Sequence, residues 1–129
     1  NHSNEWIRGK SGKTLMELLV DGFDRSLIDF MPDTYWLQHG GADIRLFLER
    51  VGGRVKILHL KDMAVTRENG EIKPVITEIG NGNIDFDSVI AAAVKGGVRY
   101  YCVEQDTCPG DPMDSLKMSI DYIKPRYMK

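Results

Sequence analysis

Three residues of metal-ligating type close three apolar stretches of the chain: Asp33 just beyond Leu27 to Met31, His59 in Val55 to Leu60, and Glu104 at the end of Val98 to Glu104. Two carboxylates and one imidazole form a donor set for Mn, Mg, Co or Zn, with the oxygen ligands leaning towards the harder ions. Each residue alone also has a plainer reading. Asp33 would serve as a turn residue or helix cap. His59 alternates in phase with Val55 and Ile57, as a hydrogen-bonded core histidine would. Glu104 is harder to dismiss, because an ionised carboxylate at the end of VRYYCV needs a partner to offset its desolvation.

Whether the three can meet depends on the elements that carry them. Leu15, Met16, Leu18 and Leu19 are spaced for a helix over Thr14 to Val20, bracketed by Gly12 and Gly22. Leu27 to Met31 reads as a buried strand ended by Pro32. Asp43 opens a helical pattern through Ile44, Phe47, Leu48 and Val51, which Gly52 and Gly53 stop. Val55 to Leu60 is a compact strand, followed by a polar excursion over Lys61 to Lys73 with Asn69-Gly70 as its turn signal. A brief extended piece, Pro74 to Ile79, leads to the loop Gly80-Asn81-Gly82-Asn83. A helix over Ser88 to Lys95, capped by Asp85 or Asp87, precedes the strand Val98 to Glu104. A last helix runs from Asp114 to about Ile123. Helices alternating with apolar strands predict a parallel sheet with right-handed crossovers. In such sheets the C-terminal strand ends converge on one face, where ligands bind.

Composition narrows the partners. The 129 residues are 42% hydrophobic and 28% charged, with net charge -2, which excludes a disordered chain. With 17 basic against 19 acidic residues there is no basic stripe for nucleic acid. No apolar run approaches the roughly 18 residues a membrane span needs. Cys102 and Cys108 are too few for a disulfide framework and fit a reducing, cytoplasmic setting.

The blocks Asp33-Thr34-Tyr35-Trp36, Gly41-Ala42-Asp43, Leu58-His59-Leu60-Lys61-Asp62, Gly80-Asn81-Gly82-Asn83-Ile84-Asp85 and Val103-Glu104-Gln105-Asp106 together resemble the sugar phosphate isomerase/epimerase family. This is the xylose-isomerase-like TIM-barrel superfamily. The opening Asn1-His2, with Glu5 and Trp6, resembles the tail of that family's Tyr-His-Asn-His-x-x-Glu-Phe block. The resemblance spans nearly the whole chain but only the C-terminal half of the barrel, from the end of strand five to strand eight. It implies an α/β fold, with residues 1 to 129 as half of a (β/α)8 domain whose upstream half is missing.

The resemblance further implies a divalent-metal site at the barrel mouth, with Asp33, His59 and Glu104 as the ligands on strands six, seven and eight. His2 and Glu5 are the local candidates for the fifth-strand ligand or for substrate contact, and each could equally be a loop residue. The implied chemistry is isomerisation or epimerisation of a sugar or keto-sugar, the metal stabilising an enediolate and Glu104 carrying the proton as well as ligating. Lys61 and Asp62 could contact substrate hydroxyls or form a solvated charge pair, and Trp36 could stack on a sugar face or plug the packing. His39 and Gln105 are weaker candidates. The Gly80 to Asn83 loop is read mainly as a turn, with phosphate binding through its amides as the lesser reading.

The rival reading is a non-catalytic half-barrel for carbohydrate binding or assembly. An eight-stranded barrel takes roughly 250 residues. Half of one would leave strand edges and an apolar inner face open, so completion by another copy in a homo-oligomer is expected.

Overall fold

The computed structural model describes residues 2–128, so Asn1 of the opening block lies outside the described residues. A 3-10 turn, Ser3–Trp6, leads to α1 (Leu15–Gly22), α2 (Thr34–His39) and α3 (Ile44–Arg50). Then follow β1 (Ile57–Leu60), β2 (Asp62–Glu68), β3 (Glu71–Thr77), α4 (Phe86–Lys95), β4 (Tyr100–Val103) and α5 (Pro112–Tyr127).

Helix starts follow local hydrogen-bond chemistry. At Thr14 the side chain accepts from the Glu17 amide while Glu17 accepts from the Thr14 amide, a reciprocal box that contributes about 1 kcal/mol. Asp43, Asp85 and Asp111 cap α3, α4 and α5 more simply, each carboxylate accepting from first-turn amides. The expected helix over 114–123 is longer, beginning at Pro112 and passing Pro125.

β1 and β4 pair in parallel, with Ile57 opposite Tyr100, His59 opposite Cys102 and Leu60 opposite Val103. The segment before α2 joins the same ladder through isolated parallel bridges, Phe30 with Val55 and Asp33 with His59. Because side chains alternate across a strand, Leu58 and Leu60 enter the core with Phe47, Leu48, Phe86, Val89, Ala93 and Ile123. Full burial of one such side chain contributes about 1.5–3 kcal/mol. The opposite face carries Met31, Ile57, His59 and Tyr100, and there Met31 and Tyr100 are exposed.

Two expectations are corrected. Leu27 to Met31 is not a continuous strand: Leu27 lies in a turn and is 80% exposed, and the ladder contact shrinks to Phe30. Arg54 ties this segment to the end of α1: its buried guanidinium donates to the carbonyls of Val20, Phe23 and Ile28 and lies over the Phe30 ring, while its own carbonyl accepts from the Phe30 amide. The polar excursion after Lys61 is an antiparallel hairpin, β2 with β3, running from Asp62 opposite Thr77 to Glu68 opposite Glu71. Its two-residue loop, Asn69 at φ 52° and Gly70 at φ 83°, has the left-handed pair that a type I′ turn requires. α2 was not anticipated from the sequence.

Candidate metal centre

The parallel register gathers the three strand-end residues. His59 bridges Asp33 on one side, its amide donating to the Pro32 carbonyl at 2.9 Å, and the Glu104 amide donates to the Leu60 carbonyl at 3.0 Å on the other. One ligand atom from each of Asp33, His59 and Glu104 lies within 4.8 Å of the other two.

Asp33 performs two tasks at once. Its Oδ1 accepts from the Trp36 amide at 3.0 Å and caps α2, which is the plainer role foreseen for it. Its Oδ2 is turned inward, 3.9 Å from His59 Nδ1, in a side chain with no solvent exposure. His59 Nδ1 also meets Glu104 Oε2. Asp33 Oδ2, His59 Nδ1 and Glu104 Oε2 are all buried atoms without a hydrogen-bond partner, Asp33 Oδ2 lying near Lys61 only as an ion pair. Buried polar atoms are ordinarily paired, and three orphans facing one point form a donor set. Burial pushes the Asp33 carboxyl above its usual range, against the Trp36 amide and the Lys61 charge, which pull it down.

Lys61 is 1% exposed and its ammonium sits among carboxylates: 3.1 Å from Asp33 Oδ2, 3.0 Å from Glu104 Oε1, and 3.0 Å from Asp106 Oδ1. Burial alone would lower its pKa, but Asp106, Glu104 and Asp33 together hold it above the ordinary lysine value. Thr34 fixes the backbone beneath it, donating to the Lys61 carbonyl at 2.7 Å and accepting from the Lys61 amide at 2.9 Å. Thr34 and Asp106 were missed in the sequence. Both stood in the blocks Asp33-Thr34-Tyr35-Trp36 and Val103-Glu104-Gln105-Asp106 that carry the resemblance, but neither was given a role there.

Asp62 is occupied elsewhere. It has no exposure, and its two oxygens accept from the amides of Met63, Gly80, Gly82 and Ile84 at 2.8–3.2 Å. Its carboxylate is therefore turned into the loop instead of towards substrate hydroxyls. The Gly80 to Asn83 loop is a turn built on Asp62, and the glycine amides considered for phosphate are taken. Gly82 leaves no room for a side chain, since a Cβ there would strike the Asp62 carboxylate.

Trp36 is half-buried, with His2 5.1 Å and His39 5.4 Å from its ring and the Lys61 ammonium 5.8 Å away. His2 thus reaches the rim of the site through Trp36. Glu5 lines a hollow with Met31 and Pro32, beneath the strand end that carries Asp33. Gln105 turns from the centre and donates to Glu78 at 3.2 Å. Glu78 also accepts from the Ser115 hydroxyl at 2.7 Å, while Ser119 accepts from the Ile79 amide, so α5 is hydrogen-bonded to the end of the hairpin.

No family model matches the chain. Curated relatives are inosose dehydratases: that of Geobacillus kaustophilus is 27% identical over 122 residues, covering 84% of this chain and 40% of the relative. That of Clostridium perfringens is 28% identical over 123 residues, covering 84% and 41%. A crystal structure of a sugar phosphate isomerase/epimerase from Parabacteroides distasonis superposes with a TM-score of 0.76 at 22% identity, covering 95% of this chain and 43% of that one. The chain thus spans about two fifths of the length of these proteins. It is similar in sequence to inosose dehydratases, and it has the fold of part of that sugar phosphate isomerase/epimerase structure, a partial (β/α)8 barrel.

Proposed function

We propose that the chain carries the metal-binding part of the active site of an enzyme that moves a proton on the carbon beside the carbonyl of a small sugar, keto-sugar or sugar phosphate. The observation that supports this most is the inward convergence of Asp33 Oδ2, His59 Nδ1 and Glu104 Oε2, each without a hydrogen-bond partner. Charge supports it as well. Counted formally, the three carboxyl side chains Asp33, Glu104 and Asp106 and the Lys61 ammonium sum to -2, which one divalent cation would cancel.

Asp33, His59 and Glu104 would hold the ion, here Mn, Mg, Co or Zn. When bound it would supply a Lewis acid for adjacent substrate oxygens. Asp33, wholly buried and tied to α2, orients and does not move. Glu104 has a 36% exposed side chain at the open side of the cluster, so it is the carboxylate placed to take and return the proton. Lys61 donates to Glu104 Oε1 and leaves Oε2 facing the site. Trp36 forms an apolar wall beside that opening, fitted to the C–H face of a sugar. Isomerisation, epimerisation and dehydration beside a carbonyl share this first proton removal, which fits the different activities named for the similar proteins. The free thiols Cys102 and Cys108 fit a reducing, cytoplasmic setting.

Calorimetric titration with Mn or Co tests the site: one ion per chain is expected, lost in His59→Ala and Glu104→Ala. Undiminished affinity in both variants would sink it. A second reading, a non-catalytic half-barrel that assembles with another copy, is favoured by the exposed Met31 and Tyr100 on the face shared with His59. Sedimentation would show a dimer under that reading. Solvent deuterium at the carbon beside the carbonyl, after incubation of ketoses with metal and protein, would decide for the enzyme.

A further inference from the structure

The Lys61 ammonium is surrounded as a metal ion would be. Four carboxylate oxygens lie within 3.1 Å of Nζ: Asp33 Oδ2, Glu104 Oε1 and both oxygens of Asp106. Two of these side chains also belong to the donor set beside it. Asp33 Oδ2 faces both Nζ and His59 Nδ1, and Glu104 gives Oε1 to Nζ and Oε2 to the donor set. Carboxylates shared between two neighbouring positive centres are the arrangement of two-metal sites. Here the second centre is a side chain. It cannot withdraw, because it is 1% exposed and its backbone is clamped on both sides by Thr34.

Resting on the metal reading above, we infer that Lys61 is a built-in second cation: it occupies a second metal position formed by Asp33, Glu104 and Asp106, and so limits the centre to one divalent ion. Asp106 belongs to this position alone, since it contributes no atom to the Asp33, His59 and Glu104 set. Lys61 is thereby a positioning residue, neutralising the shared carboxylates before any ion arrives and repelling a second one afterwards.

Equilibrium dialysis against Mn(II), with metal counted per chain and the bound ions examined by electron paramagnetic resonance, tests this on the wild-type protein and three variants. Wild type is expected to bind one isolated ion. Lys61→Ala, which removes the charge and opens the space, is expected to bind two ions with a spin-coupled spectrum. The double variant Lys61→Ala with Asp106→Asn is expected to return to one. Lys61→Met removes the charge but fills the space, and should bind one ion about tenfold more tightly because the like charge is gone.

A Lys61→Ala protein that saturates at one ion, or a Lys61→Met protein with unchanged or weaker affinity, would overturn the inference while leaving the metal site standing. No binding by wild type would overturn the site itself. Should Lys61→Ala be unfolded by circular dichroism without metal, refolding on addition of Mn(II) with two ions bound per chain supports the inference, because the second ion then replaces the missing charge, whereas refolding with one ion overturns it. Failure to refold in excess Mn(II) overturns it.

Discussion

Lys61 and Asp62 are adjacent, oppositely charged and equally buried, yet their surroundings differ in kind. Every oxygen of Asp62 is matched by backbone amides. Around Lys61 two of the neighbouring carboxylate oxygens, Asp33 Oδ2 and Glu104 Oε2, have ionic neighbours in Lys61 and His59 but accept no hydrogen bond. The first pattern holds a loop in shape; the second is unfinished and points to a ligand. Burial and charge do not distinguish these two surroundings, whereas hydrogen-bond completeness does.

Breaking the complete side should cost the most stability. Asp62→Ala strands four amides and is expected to destabilise the fold by about 3–5 kcal/mol in denaturant titration. Breaking the unfinished side should do the reverse: His59→Ala is expected to weaken Mn binding about a hundredfold or more, with metal-free stability within about 1 kcal/mol of wild type. A loss of stability in His59→Ala as large as in Asp62→Ala would erase the contrast.

The contrast sharpens under acid. Glu78 is held down at about 2, first by the Ser115 hydroxyl, with Gln105 and Thr77 assisting against burial. Its folded-state value lies below its unfolded one, so its contribution is complete above about pH 4.5 and disappears as pH falls towards 2. Stability should drop by about 2–3 kcal/mol over that window, and Glu78→Gln should flatten the curve. The smallest effect is expected at the hairpin tip, where Gly70→Ala at positive φ costs about 1 kcal/mol with metal binding unchanged.

Much of this was legible in the sequence where the pattern is long or local. α1, α3 and α4 follow from apolar spacing bounded by Gly12 and Gly22, by Asp43, and by Asp85 or Asp87, and the strand ends at His59 and Glu104 were visible as polar stops to apolar runs. α2 was not visible, because six residues between Asp33 and Gly40 are too few to show a helical period. Leu27 to Met31 had the composition of a strand, but most of it has no ladder partner among the described residues. In the site, residue type alone distinguished Asp33 and His59. What separated Lys61 from Asp62, and brought Thr34 and Asp106 to the centre, was contact between positions 27 and 45 residues apart, which adjacency in the chain disguises.

The hairpin is closed at its base twice, by the pairing of Asp62 with Thr77 and by the Asn83 amide on the Met63 carbonyl. Its arms run outward from there, with Val65 and Ile72 exposed, and its inner side borders a hollow of about 400 Å³ shared with Thr107, Cys108 and Pro109, next to Asp106. The donor set therefore does not feel how long those arms are. Lengthening, trimming or regrafting them would redraw the rim of the mouth while the ligands stay in register, which makes residues 64–76 the place where a designer or a lineage could change what enters without rebuilding the chemistry.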